Sequence, residues 1–573
     1  MYMKLRGKYM NYNEKYNQWL ENEYFDEDTR KELELIKNDE EEIEDRFYQD
    51  LQFGTAGLRG IIGAGTNRMN KYTVSLATQG LAETIKSFGQ EAMDRGVAIS
   101  HDVRHMSREF SEITASVLAA NGIKVYIHKG ITPTPVLSYT IRKLNTISGV
   151  MITASHNPKQ YNGYKAYWEE GSQILDDIAD KILGNIDKIG DYSNVKMMDF
   201  NEATESGIVE YIDPSVIESY INDTLSLAIE DENIDKDIKI VYSPLNGTGN
   251  KLVREVLEKR GFNNVYIVEE QENPDPDFTT VGYPNPEDPK AFEYSIKLGK
   301  EVDADILMAT DPDSDRAAIE VRDENGDYVF LTGNKTGILL TNYILSRLDA
   351  NGKLPDNGVI VKSIVTGNLP SKIAEKYGVE SIDVLTGFKN IYEPANIYDE
   401  TKEKTFIFGF EESIGYSYGA HVRDKDAVSS IMMIAEMAAF YKKQGKTLLD
   451  VLEELYDEFD YYGEKLISIV LEGLDGQALI KRIMEDYRLN PIQEIGDIKL
   501  VEVIDYQNDE TGLRKSNVLK YVYDDGSWYV VRPSGTEPKI KLYIYSVANS
   551  INEGDNKINQ IFQVAHKKIM DVK

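Results

Sequence analysis

From residue 53 on, short apolar and β-branched runs alternate with stretches whose apolar residues recur every three to four positions. The runs predict strands over 97–100, 124–127, 150–153, 238–242, 265–268, 305–309, 359–361, 405–408 and 529–531. The periodic stretches predict helices over 72–89, 108–121, 249–260, 335–348 and 427–444. Strand and helix in such succession call for mainly parallel sheets covered by helices. From about Asp460 the pattern changes. Strands over 464–471, 499–506, 528–531 and 540–545 precede a closing helix near 556–570, an α+β arrangement with an antiparallel sheet. Ahead of these, residues 12–50 mix charged residues with Trp19, Leu20, Phe25, Leu33, Leu35, Ile36, Phe47 and Tyr48 at helical spacing. They predict one or two amphipathic helices with a solvated face.

Polar stretches near 205, 325 and 455 suggest four domains: 1–205, 206–325, 326–455 and 456–573. A chain of 573 residues is long enough for that, and 41% apolar residues exclude a mainly disordered protein. Lys plus Arg is 64 against 97 Asp plus Glu, a formal charge of −33. So acidic a surface repels nucleic acid and anionic lipid, and a phosphate ligand needs a local cluster of donors. The absence of Cys removes thiolate catalysis, Fe–S clusters and Cys-ligated zinc, and the six His show no HExxH spacing. No apolar run reaches the ~18 residues of a membrane helix, and the start, MYMKLRGKYMNYN, has no signal core. A cytoplasmic protein is expected.

Four loops can carry chemistry, each following an apolar run. Thr153-Ala154-Ser155-His156-Asn157-Pro158 sets a hydroxyl at the carboxyl end of a strand, where α/β folds put ligands. Ser155 lacks the GxSxG elbow, so it reads as a group carrier or as an ordinary turn serine. Asp311-Pro312-Asp313-Ser314-Asp315-Arg316 offers three carboxylates at alternate positions, suited to a hard divalent cation; Arg316 and Arg322 stand where an EF-hand needs Gly and Glu. Gly409-Phe410-Glu411-Glu412-Ser413-Ile414-Gly415 can present an acceptor and a donor to neighbouring sugar hydroxyls, or be a plain polar loop. Arg532-Pro533-Ser534-Gly535-Thr536-Glu537-Pro538-Lys539 has the composition of a phosphate cradle, though it is neither a Walker loop nor GxGxxG. Together the four supply the parts of phosphoryl transfer on a sugar.

TASHNPKQYNGYK, DPDSDR, FEESIG and RPSGTEPK stand in the order seen in the α-D-phosphohexomutase superfamily. The resemblance runs from Phe53 on through FGTAGLRG, SHDVR, ITPTPV, SPLNGTGN, TGFK and HVRDKD, and is nearest to the larger bacterial phosphoglucomutases. It implies a heart-shaped molecule of three α/β domains and a C-terminal domain around a central cleft. It implies that Ser155 is a phosphoserine, with Asp311, Asp313 and Asp315 holding Mg²⁺ together with a phosphoserine oxygen. Arg59 and Lys165 match cationic positions beside the serine; Glu411 and Ser413 match contacts to the sugar's O3 and O4 hydroxyls. Arg532, Ser534, Gly535 and Thr536 match the grip on the non-reacting phosphate, and Arg316, Lys362 and Lys389 are further substrate contacts. The sequence departs from the family pattern at Phe410, where Gly is usual, and at Gly415, where one branch carries His; His156 and His421 remain as candidates for proton handling. The implied activity is an isomerase that interconverts glucose 1-phosphate and glucose 6-phosphate through glucose 1,6-bisphosphate. Its partners would be small sugar phosphates, with no nucleic acid or membrane, and it would be a monomer or small homo-oligomer. Alternatives are a phosphomannomutase or phosphopentomutase, a phosphatase, or a non-catalytic sugar-phosphate-binding paralogue.

Overall fold

The computed structural model describes residues 11–54, 57–471, 476–508, 511–534 and 539–572. One compact unit holds the described residues up to Asp231 with Asp235–Phe330 and Gly415–Ala439. A second holds Glu232–Ile234, Leu331–Ile414 and the described residues from Phe440 on.

Three helices open the first unit, Tyr12–Glu21, Glu27–Leu35 and Glu40–Phe47, where the periodicity predicts one or two. The reason is capping: Asn11, Asp26 and Asp39 each accept from a backbone N–H three residues on, so each starts a new helix. Their apolar stripes meet in a cluster of Tyr16, Trp19, Phe25, Leu33, Ile43 and Phe47 that also takes in Ala64 and Tyr72.

Next comes a six-stranded mixed sheet. Its order is Gly57–Ile61, Tyr161–Trp168, Ser148–Ile152, Val97–His101, Val125–Ile127, Val209–Tyr211. The last four strands run parallel, and the first two are added antiparallel. Val97–His101 and Ser148–Ile152 are buried at every position, as the middle of a sheet covered on both faces requires. A second sheet orders Tyr328–Leu331, Ala317–Arg322, Ile306–Thr310, Ile240–Ser243, Val265–Ile267, with the last three strands parallel. In both sheets the carboxyl ends of adjacent parallel strands lead directly into the motif loops.

In the second unit, Glu380–Val384, Gly358–Ser363 and Thr405–Glu411 run parallel. A Cβ on Gly337 would meet the Phe410 ring and one on Gly409 would meet Ile391. Helices Gly333–Ala350 and Phe388–Thr401 therefore cover opposite faces. The chain ends in a six-stranded antiparallel sheet, Tyr461–Val470, Lys539–Ala548, Trp528–Pro533, Leu519–Tyr523, Ile498–Asp505, Glu494–Ile495. Helix Ile551–Asp571 buries Ile558, Ile561, Ala565 and Ile569 in the same core as that sheet. The fold class is α/β with an α+β end, as the sequence pattern indicates. Among the described residues no helix is long and apolar enough to cross a membrane.

Candidate active site

Strand Ser148–Ile152 runs into Thr153 and Ala154, and Ser155 then turns the chain at φ 52°. That left-handed conformation costs a non-glycine residue about 1–2 kcal/mol. The Ser155 N–H donates to Thr153 Oγ1 at 2.8 Å, which gives the turn a local partner. The result is a buried serine whose Oγ lies 2.8 Å from Asp311 Oδ2 and 3.2 Å from His156 Nδ1. A single hydroxyl proton serves one of these acceptors at a time.

Asp311, Asp313 and Asp315 follow the strand Ile306–Thr310, and all three are buried. Each turns one carboxylate oxygen inward so that the three lie within 4.8 Å of one another. The tightness comes from the loop itself: Ser314 adopts φ 55°, and Asp311 Oδ1 accepts the N–H groups of Asp315 and Arg316 at 3.1 and 3.0 Å. Neighbouring loops brace it. Thr134 bonds Asp313 twice, N–H to carbonyl and hydroxyl to Oδ2, both at 2.8 Å. Thr248 N–H donates to the Pro312 carbonyl at 2.8 Å, an approach open only to a glycine next door, since a Cβ on Gly247 would stand 2.6 Å from Pro312 Cα.

Two ammonium groups face the cluster. Lys165 Nζ is 2.7 Å from Asp313 Oδ2 and 3.2 Å from Asp315 Oδ2; Lys425 Nζ is also 3.2 Å from Asp315 Oδ2. Burial opposes the charge on Asp315, but Lys165, Lys425 and Arg316 outweigh it and hold this carboxyl below the ordinary range. Asp313 is held down likewise, by Lys165 against burial and Asp315. Asp311 has no ammonium of its own, and burial with its two acidic neighbours pushes it well above the carboxylate range. The buried oxygens Asp313 Oδ1 and Asp315 Oδ1 have no hydrogen-bond partner among the described residues. Three converging carboxylates, two of them with an oxygen unsatisfied, fit a hard divalent cation and are poorly satisfied by protein donors alone.

Arg59 lies exposed on strand Gly57–Ile61 and donates to Asn157 Oδ1 at 3.2 Å. Burial, then Arg316 and Arg59, push the His156 imidazole well below its ordinary pKa, so it is neutral beside Ser155. His421 is placed differently, with Nε2 3.1 Å from Asp426 Oδ2.

Four domain signatures described as phosphoglucomutase/phosphomannomutase match in sequence order. They are alpha/beta/alpha domain I over 50–193, domain II over 218–326, domain III over 332–459, and the C-terminal domain over 479–547. The chain belongs to the phosphoglucomutase/phosphomannomutase family. A phosphoglucomutase of Staphylococcus epidermidis is 38% identical over 530 residues, spanning 91% of this chain and 95% of that one. One of Staphylococcus aureus is 38% identical over 535 residues, 90% of this chain and 94% of that one. The fold is shared with the phosphoglucomutase parafusin of Paramecium, open form (TM-score 0.69, 18% identity, 91% and 95% covered). It is shared too with a phosphoglucomutase/phosphomannomutase family protein of Burkholderia thailandensis (TM-score 0.67, 20% identity, 91% and 97% covered).

The loop that carries Glu411 and Ser413 lies in the second unit. Strand Thr405–Glu411 runs three residues further than the sequence predicts, so Glu411 sits at the strand end and accepts the Gly387 N–H. Ser413 is half-buried, and the turn is completed by Ile414 at φ 53°. Lys362 is wholly buried with Nζ 2.7 Å from Asp383 Oδ1, and Lys389 stands in the first turn of helix Phe388–Thr401. Arg532 is the penultimate residue of strand Trp528–Pro533, and Ser534 N–H donates to the Lys539 carbonyl at 2.8 Å. Gly535 and Thr536 lie outside the described residues. Burial, then Glu412, pushes the Tyr543 phenol above its ordinary pKa, with Arg532 opposing and Glu411 adding.

Sequence reasoning missed Lys425, Thr134, Thr153, Asp102 and Arg104. The motifs HVRDKD, ITPTPV and SHDVR contain four of these, but a charged or Pro-rich turn gives no sign of being buried until its partners are known.

Proposed function

We propose that this chain is a phosphoglucomutase, interconverting glucose 1-phosphate and glucose 6-phosphate through a phosphoserine at Ser155 and a glucose 1,6-bisphosphate intermediate. The observation that carries the reading is the placement of the Ser155 hydroxyl 2.8 Å from Asp311, inside the buried carboxylate cluster. In a Ser-His-Asp hydrolase a carboxylate orients the imidazole beside the serine, whereas here the carboxylate of Asp311 meets the Ser155 hydroxyl directly. The phosphoryl bond to Ser155 Oγ breaks as one forms to a sugar hydroxyl oxygen, and the bisphosphate then returns its other phosphoryl group to the same Oγ. His156 Nδ1, 3.2 Å from Ser155 Oγ, is the nearest imidazole to the transferred proton, but burial, Arg316 and Arg59 disfavour its charged form and make it a weak base. Lys165 stays charged, because Asp313 and Asp315 outweigh its burial, and can hold a phosphoryl oxygen. Arg59 and Arg316 add positive charge beside it. Asp311, Asp313 and Asp315 would hold Mg²⁺, which when bound neutralises charge on the phosphoryl oxygens.

Glu411 and Ser413 read sugar hydroxyls, with Lys362 and Lys389 as further contacts. Arg532, Ser534, Gly535 and Thr536 grip the phosphate that does not react. The enzyme acts in the cytoplasm on small sugar phosphates, with domain boundaries near 205, 325 and 455. The test is an assay coupled to glucose 6-phosphate formation, with trace bisphosphate as activator. Wild type turns over glucose 1-phosphate and Ser155→Ala does not; full activity in Ser155→Ala contradicts the proposal.

A further inference from the structure

A second pair of buried charges lies behind the serine loop. Asp102 and Arg104 follow strand Val97–His101 and are both buried. The Arg104 guanidinium spends all four of its terminal N–H groups on carbonyls of one loop. Nη2 donates to Ser155 at 2.6 Å and to Asn157, and Nη1 to Pro158 at 2.9 Å and Tyr161 at 3.1 Å. Its Cζ lies 5.0 Å from the ring centroid of buried Phe278, and its Nε is 3.3 Å from Asp102 Oδ2. Asp102 Oδ1 accepts from the Arg104 N–H at 2.9 Å and from Ser107 Oγ at 2.7 Å. Its Oδ2 accepts from Thr153 Oγ1 at 2.6 Å, and that oxygen in turn accepts the Ser155 N–H at 2.8 Å.

We propose that Arg104, Asp102 and Thr153 are positioning residues that hold Ser155 in its left-handed conformation, and so fix the line along which its oxygen gives and receives the phosphoryl group. The proposal rests on Ser155 being the phosphoryl carrier. None of the three side chains bonds to the Ser155 hydroxyl; they act on its N–H and C=O. A planar fork of fixed donors is what the four carbonyls require. Lysine offers three donors from one point and reaches two or three of them at most. Thr153 is the narrowest joint, since one hydroxyl both gives to Asp102 and takes from Ser155. Valine has its shape and neither bond; serine keeps both.

The test uses the full chain as Arg104→Lys, Thr153→Val and Thr153→Ser, with Ser155→Ala for reference. It reads kcat and KM for glucose 1-phosphate, the phosphorylated fraction by intact mass, and the melting temperature. Misplacing a reacting atom by about 1 Å costs on the order of 10²-fold, so Arg104→Lys and Thr153→Val should lose about that much kcat with KM nearly unchanged. Thr153→Ser should recover most of the rate. The loss should persist when each variant is assayed well below its own melting temperature. Wild-type rates in Arg104→Lys and Thr153→Val, or a deficit that disappears once every variant is fully folded, overturn the proposal while an inactive Ser155→Ala leaves the phosphoserine reading standing. Full activity in Ser155→Ala overturns that reading and this proposal with it.

Discussion

Metal affinity should depend on pH, in a direction set by Asp311. Without a cation, burial and the charges of Asp313 and Asp315 hold Asp311 well above the carboxylate range. A carboxyl raised in the folded state keeps its proton there while the unfolded chain's carboxyl ionises, so the cation-free protein loses stability as pH climbs from the ordinary carboxylate value to the raised one. A divalent ion needs the ionised form, so it must displace that proton. Below the raised value Mg²⁺ affinity should therefore strengthen by up to tenfold per pH unit, about 1.36 kcal/mol each, and level off above it. At a hundred times Kd the ion adds about 2.7 kcal/mol of stability. The melting-temperature difference between Mg²⁺ and EDTA samples should accordingly widen from pH 5 to pH 8. Titration calorimetry in buffers of different ionisation enthalpy should show a fraction of a proton released per ion. Asp311→Asn has no proton to release, so whatever binding it retains should be nearly independent of pH. A pH-independent Kd in the wild type, or the same slope in Asp311→Asn, refutes the reasoning.

Glu320 is a buried carboxyl on strand Ala317–Arg322 whose Oε2 has no hydrogen-bond partner among the described residues, and burial raises its pKa to about 7. Its penalty is absent below the ordinary carboxylate pKa and grows as pH rises toward 7, so Glu320→Gln should gain stability at pH 8 relative to pH 4.5, by about 1–2 kcal/mol after solvent screening. An equal effect at both pH values on denaturant unfolding argues against it. Arg532→Ala should lose about 1.5–3 kcal/mol of transition-state binding, roughly ten- to a hundredfold in kcat/KM for glucose 1-phosphate; unchanged kinetics remove Arg532 from the phosphate grip. Galactose 1-phosphate inverts the C4 hydroxyl assigned to Glu411 and should be a much poorer substrate than glucose 1-phosphate, with mannose 1-phosphate between them; equal kcat/KM for galactose and glucose withdraws the sugar-loop assignment.

The strands that carry the chemistry were legible where their residues are apolar, as in Ser148–Ile152 and Ile306–Thr310. The strand Tyr161–Trp168 was not. It reads YNGYKAYW, yet seven of its eight positions are buried. Its glycine and lysine suggest a solvated turn, and both are there for the site: a Cβ on Gly163 would stand 2.5 Å from the Thr153 carbonyl, and Lys165 reaches Asp313. Gly57–Ile61 was hidden for a similar reason, since GLRGI has no alternation, and strand pairing to Tyr161–Trp168 defines it. Lys425 shows the general limit. A buried lysine is recognisable only from its counter-charges, which here come from Asp315, distant in sequence, as well as from adjacent Asp424. Local pattern reveals apolar burial, whereas paired polar burial is a property of the assembled fold.

The central claim is that Ser155 carries the phosphoryl group between two positions of one sugar. The direct measurement follows phosphate-labelled glucose 1-phosphate through the phosphorylated enzyme, quenched on the timescale of one turnover. The account predicts label on the peptide containing Ser155 and in glucose 6-phosphate, with inorganic phosphate appearing far more slowly. Label released to inorganic phosphate at the rate of turnover, or phosphate mapping to a residue other than Ser155, contradicts it.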